Sequence, residues 1–103
     1  MPVSHRWDVT PAEAREIQRG LAERVDTGTP LPDDWETVAA ADVSFGRYDK
    51  ELAAAVVIVR REGWEVVERV GLIRPIAFPY VPGLLSFREA PGLLDAFAEV
   101  KTP

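Results

Sequence analysis

Apolar positions in the first quarter of the chain recur at helical spacing. Ala14, Ile17, Leu21 and Val25 fall three or four residues apart, which places them along one side of a helix. Thr10, Pro11 and Glu13 stand just before them in the order of cap, first-turn proline and capping-box partner. A helix is therefore predicted over Pro11–Val25. Its other side carries Arg15, Arg19, Glu23 and Arg24, either a basic face for a nucleic-acid backbone or an ordinary solvated one. Residues before it read as a partly ordered lead-in. The stretch after it, Asp26–Asp34, contains Gly28, Pro30 and Pro32 and reads as a loop.

The period then changes. Thr37–Phe45 alternates as a strand, with Ala39, Ala41, Val43 and Phe45 on one side and Val38, Ala40, Asp42 and Ser44 on the other. Gly46–Lys50 is a turn. Leu52–Arg60 is continuously apolar and becomes β-branched at Val56–Val59, the pattern of a strand covered on both faces. The short link Arg61–Gly63 predicts an antiparallel hairpin into a third strand, Trp64–Arg74, with Gly71 as a candidate bulge. A last helix is expected from a Ser86 cap to about Val100, with Leu93, Leu94, Phe97 and Val100 inward. Pro91 removes one of its hydrogen bonds, so a kink or restart is expected there.

Two places break these patterns. The first is the loop from Phe78 to Glu89. Pro79 and Pro82 each fix φ and remove a donor, and they hold the preceding Phe78 and Val81 extended. Tyr80 therefore stands on a stiff tip with no periodic apolar face to join. Gly83 permits positive φ or a close backbone approach. Ser86 and Glu89 have capping-box spacing, so Glu89 has a structural reading as a cap partner. A helix start beside an Arg also fits a phosphate-proximal site. The second is Asp42, a charge in a small apolar strand, where burial without a partner is costly. Asp42 is either hydrated near a strand end, paired with an arginine, or a metal ligand.

Composition narrows the class. The 103 residues make at most one domain, and 47% hydrophobic with 28% charged residues is the balance of a folded chain. There is no cysteine, which excludes disulfides, thiolate metal sites and a cysteine nucleophile. The longest apolar run is far too short to cross a bilayer, and no secretory signal is evident, so no membrane partner and a cytoplasmic location are expected. A net charge of −5 argues against broad non-specific nucleic-acid binding, although arginines outnumber lysines and suit bidentate phosphate contacts. The one histidine, His5, has no partner that the sequence identifies.

Pro79-Tyr80-Val81-Pro82-Gly83, followed by Ser86-Phe87-Arg88-Glu89, resembles the signature of endonuclease V, the deoxyinosine 3′ endonuclease family. His5-Arg6-Trp7-Asp8 and Ala41-Asp42-Val43-Ser44-Phe45 are similar to that family as well. The resemblance implies an α/β architecture, the first half of a ribonuclease H-like fold: N-terminal helix, three-stranded antiparallel meander, core helix. It implies that Asp42 and Glu89 are catalytic carboxylates meeting around Mg²⁺, with Mn²⁺ as a substitute. Pro79, Tyr80, Val81 and Pro82 would form a wedge entering the duplex, Gly83 and Leu85 would line the pocket of a flipped base, and Arg88 would contact phosphate. The implied substrate is DNA or RNA containing inosine, cut 3′ to the lesion.

The family pattern continues past this chain with a third carboxylate that Asp33, Asp34, Asp49 and Asp95 do not match. Residues 1–103 are thus expected to be a single partial domain, the N-terminal half of such an enzyme. Alone it is expected to be inactive, with a complementing C-terminal half or self-association covering an open strand edge. The alternative is a non-catalytic nucleic-acid-binding module or a remnant that self-associates.

Overall fold

A computed structural model describes residues 5–46 and 49–102. Helix α1 spans Pro11–Ala22, strands β1, β2 and β3 span Thr37–Ser44, Glu51–Arg60 and Val66–Pro75, and helix α2 spans Leu85–Ala98. The capping box at the start of α1 forms as expected. Thr10 Oγ1 accepts from the Glu13 amide at 3.2 Å, and the Glu13 carboxylate accepts from the Thr10 amide at 3.1 Å. The helix ends at Ala22 rather than Val25. Main-chain bonds there tighten to three-residue steps, Arg24 to Leu21 and Val25 to Ala22. Val25 is 66% exposed and has no core to join.

The strands make an antiparallel meander in the order β1-β2-β3. Across the sheet, Asp42 pairs with Ala55, which pairs with Gly71, so Gly71 lies in regular register. The irregularity falls instead between Ile58 and Val59, where the chain leaves a tight turn at Glu62–Trp64. That turn holds Gly63 and Trp64 at φ 76° and 53°, so β3 starts at Val66 and not at Trp64. The Gly46–Lys50 turn is described only in part, because Arg47 and Tyr48 lie outside the described residues.

The expectation that β2 is covered on both faces is corrected. Leu52, Ala54, Val56 and Ile58 are buried, whereas the alternate residues Ala53 and Ala55 are exposed. A single helix, α2, lies on one face, and no described element covers the other. An apolar run cannot reveal this, since both faces of β2 carry small or branched residues.

Two apolar clusters meet along α2. Ala96 packs with the buried face of β2, joined by Val43, Phe45, Leu93, Phe97 and Val100. Phe87, near the start of α2, packs with Ala14, Phe78 and Leu84, joined by Trp7, Val9 and Ile17. Leu94 is half-buried and belongs to neither cluster. Pro91 sits inside one continuous helix, so no restart occurs there.

Helix and sheet approach closely at Gly92. A Cβ placed there would lie 2.7 Å from Leu52 Cδ1, and Leu52 is itself fully enclosed. In an exposed helix, Gly→Ala gains about 1 kcal/mol. Here overpacking, at roughly 1–3 kcal/mol, opposes and exceeds that gain. Gly92→Ala is therefore expected to lower the urea midpoint at unchanged m-value; a raised midpoint would show that the helix is not seated this tightly.

Candidate active site

The loop between β3 and α2 is anchored at both ends. Phe78 is buried, and its ring lies 5.5 Å from Phe87, which Trp7 meets edge-on at 5.3 Å. His5, which had no evident partner, meets Trp7 edge-on at 4.5 Å. At the far end Leu84 is buried, and its amide donates to the Val81 carbonyl at 3.0 Å. Gly83 turns the chain at φ 86°, a region that favours glycine, and Gln18 Nε2 from α1 donates to the Gly83 carbonyl at 3.0 Å. Between these anchors Tyr80 is 47% exposed, flanked by exposed Pro79 and Pro82.

The expected Ser86 cap does not form. Leu84 occupies the cap position without a side-chain hydrogen bond, and Ser86 lies in the first turn of α2. The turn at Gly83 feeds the chain into the helix through main-chain bonds, and burial of Leu84 fixes where it enters. Glu89 is consequently not a capping-box partner. Among the described residues it has no ion pair either.

Two adjoining cavities share Tyr80 and Leu85. The larger, about 460 Å³, is lined by Val43, Ser44, Phe45, Tyr80, Leu85 and Glu89. It brings the end of β1, the loop tip and the half-buried Glu89 together. The smaller, about 180 Å³, lies under the loop, between Tyr80–Leu85 and Arg88. Asp42 is one residue short of the larger cavity. It is exposed, and its Oδ1 accepts from the Val43 amide at 2.8 Å. Its partner Ala55 is exposed whereas Val43 pairs with buried Ala54, so Asp42 leaves the sheet on the face away from α2. Among the described residues no group of three or more His, Cys, Asp or Glu side chains gathers as a metal cluster.

Arg88, expected to contact phosphate, turns inward. It is only 6% exposed, and its Nη1 donates to the Phe78 carbonyl at 3.2 Å. Nη2 makes a longer contact, 3.5 Å, to the Asp49 carbonyl. The guanidinium lies 4.7 Å from the Phe45 ring and 5.6 Å from the Tyr80 ring. Asp95, further along α2, pairs with Arg74 at 3.2 Å.

The family model for endonuclease V matches residues 19–103. The chain belongs to the endonuclease V family. It is 46% identical to endonuclease V of Gloeobacter violaceus, across 93% of this chain and 39% of that protein. It is 39% identical to endonuclease V of a Nostoc species, across 95% of this chain and 44% of that protein. The crystal structure of endonuclease V from Streptomyces avermitilis superposes with a TM-score of 0.83 at 34% identity, covering 100% of this chain and 45% of that one. A Ciona intestinalis endonuclease V solved with a 24-mer DNA containing inosine shares the fold, with a TM-score of 0.74 at 19% identity. The chain thus spans less than half the length of these relatives. Its helix, three-stranded meander and second helix form the opening part of a ribonuclease H-like α/β fold, as the signature implied.

For this endonuclease V chain, the loop signature points to the right region, but three contributors stayed hidden in the sequence. Phe45 was read as a strand residue, yet its ring carries the Arg88 guanidinium. Ser44 lines the larger cavity. Gln18 reaches Gly83 across 65 positions, and no local pattern marks it.

Proposed function

We propose that this chain supplies part of the active site of a Mg²⁺-dependent endonuclease acting on inosine-containing nucleic acid. The observation that carries this reading is the cavity joining the end of β1, Tyr80 and Glu89. Removing a base from the stack costs a few kcal/mol, which a side chain filling the gap partly offsets. Tyr80 is the exposed aromatic for that task, with Pro79, Val81 and Pro82 stiffening it. Gly83 and Leu85 border the smaller cavity, where the extruded base is proposed to lie against the main chain.

Asp42 and Glu89 would hold the divalent ion. The donor types suit a hard cation: among the described residues Glu89 is spent neither on a cap nor on an ion pair, and Asp42 keeps one oxygen clear of its Val43 contact, although the two approach the rim of β1 from opposite faces. Because β1 is an edge strand, a site at its rim is approachable from both faces of the sheet. When bound, such an ion activates a water and stabilises the leaving oxygen of a phosphodiester. Cleavage 3′ to the lesion and a cytoplasmic setting belong to the same proposal. Among the described residues no helix is long and apolar enough to cross a membrane.

With two carboxylates and no third, the chain is proposed to be a single partial domain, inactive alone. The exposed residues Val38–Asp42 along the open rim of β1 support a complementing segment or a second copy pairing there. The absence of a three-carboxylate cluster among the described residues favours, as a second reading, recognition of inosine-containing strands without cleavage.

The deciding experiment mixes this chain with the part of the Streptomyces avermitilis relative beyond its match, and follows an end-labelled inosine duplex with Mg²⁺. Cleavage 3′ to inosine by the mixture and by neither part alone is expected. Asp42→Ala or Glu89→Gln should abolish it, and cutting at full rate by either variant mixture would refute the assignment. Size-exclusion chromatography of the chain alone is expected to show self-association; a stably folded monomer would count against the open-edge argument.

A further inference from the structure

We infer that Arg88 is a positioning residue for the Tyr80 tip rather than a contact to substrate phosphate. A guanidinium stays charged at any pH a protein survives, so enclosing it is costly unless acceptors and ring faces surround it. Here they do. Arg88 donates to the Phe78 carbonyl at 3.2 Å, approaches the Asp49 carbonyl at 3.5 Å, and lies against the rings of Phe45 and Tyr80. Those partners belong to the loop, the turn before β2 and the end of β1. One side chain on α2 therefore couples every segment that borders the larger cavity. At 6% exposure it offers little surface to a phosphate. Tyr80, by contrast, is half exposed, and the guanidinium lies against its inner side.

The planar fork is essential to this role. It can bond two carbonyls while its faces meet aromatic rings, whereas a lysine ammonium is a compact point charge. A residue that merely attracts phosphate would tolerate lysine. A residue that splints a loop would not.

The role of Tyr80 as a wedge belongs to the preceding proposal; its placement by Arg88 can be tested separately. The two tyrosines, Tyr48 and Tyr80, are labelled with ¹³C in their rings and assigned through Tyr48→Phe. In Arg88→Lys with a retained sheet spectrum, the Tyr80 ring is expected to move to random-coil shifts and become mobile on the nanosecond scale. An unchanged, ordered Tyr80 ring in that variant would overturn the inference. If Arg88→Lys fails to fold, Phe45→Leu decides by the same signal, because it removes the ring on which the guanidinium rests.

Binding supplies a second readout. Deleting one phosphate-binding cation from a DNA-binding surface lowers the slope of log affinity against log salt by about one. Arg88→Lys, read against Arg88→Met, should leave that slope unchanged while preference for an inosine duplex over an undamaged one falls about tenfold, on the scale of one aromatic stack. A slope reduced by about one in Arg88→Met and restored in Arg88→Lys would overturn the inference. If the chain mixed with the complementing part prefers no inosine duplex, the functional proposal fails, and the Tyr80 signal still decides the role of Arg88.

Discussion

Everything at the candidate site depends on how closely α2 lies on β2. At Gly92 the two elements meet so closely that a methyl group would press on the enclosed Leu52 side chain. The helix is held on either side of that contact as well. Near its C-terminal end Ala96 and Phe97 belong to the sheet cluster, and near its start Phe87 belongs to the cluster under the loop. Glu89 and Arg88 lie between these two attachments. One faces the cavity beside β1, and the other braces the loop from within. A helix seated loosely would present neither residue reproducibly.

The other half of the sheet is unfinished by comparison. One face of β2 is covered and the other shows Ala53 and Ala55, while among the described residues β1 runs along an unpaired edge. An antiparallel sheet tolerates one wet face, but it usually presents polar side chains there. Here the open face carries alanines, valines and the 59%-exposed Ile73. A chain spanning less than half the length of its relatives and leaving this surface bare is a consistent picture, and Asp42 sits on that same bare face.

Much of this was legible in the sequence because local chemistry decides local structure. The Thr10–Glu13 capping box, the strand at β1 and the stiff proline-flanked tip needed no distant partner to be read, although β1 is exposed from Val38 to Asp42 rather than alternating in burial. Ser86 looked like a cap for equally local reasons, but Leu84 was worth more in the core than a hydroxyl at the helix start. Gly71 looked like a bulge, yet the strand absorbed its irregularity near the Glu62–Trp64 turn. Arg88 is the sharpest case. Its motif marks it as important, while its direction depends on Phe45, Asp49 and Phe78, which lie ten or more positions away. Periodicity says which residues share a face; only the assembled chain says what that face meets.

Native-state hydrogen exchange is the most direct measurement of the central claim. If α2 ties the loop to the sheet, the Leu84 and Phe87 amides should open together with those of β2 as denaturant rises, as one cooperative unit. Free exchange at Leu84 and Phe87 while the β2 amides stay protected would contradict it, because the loop and the helix start would then move independently of the sheet.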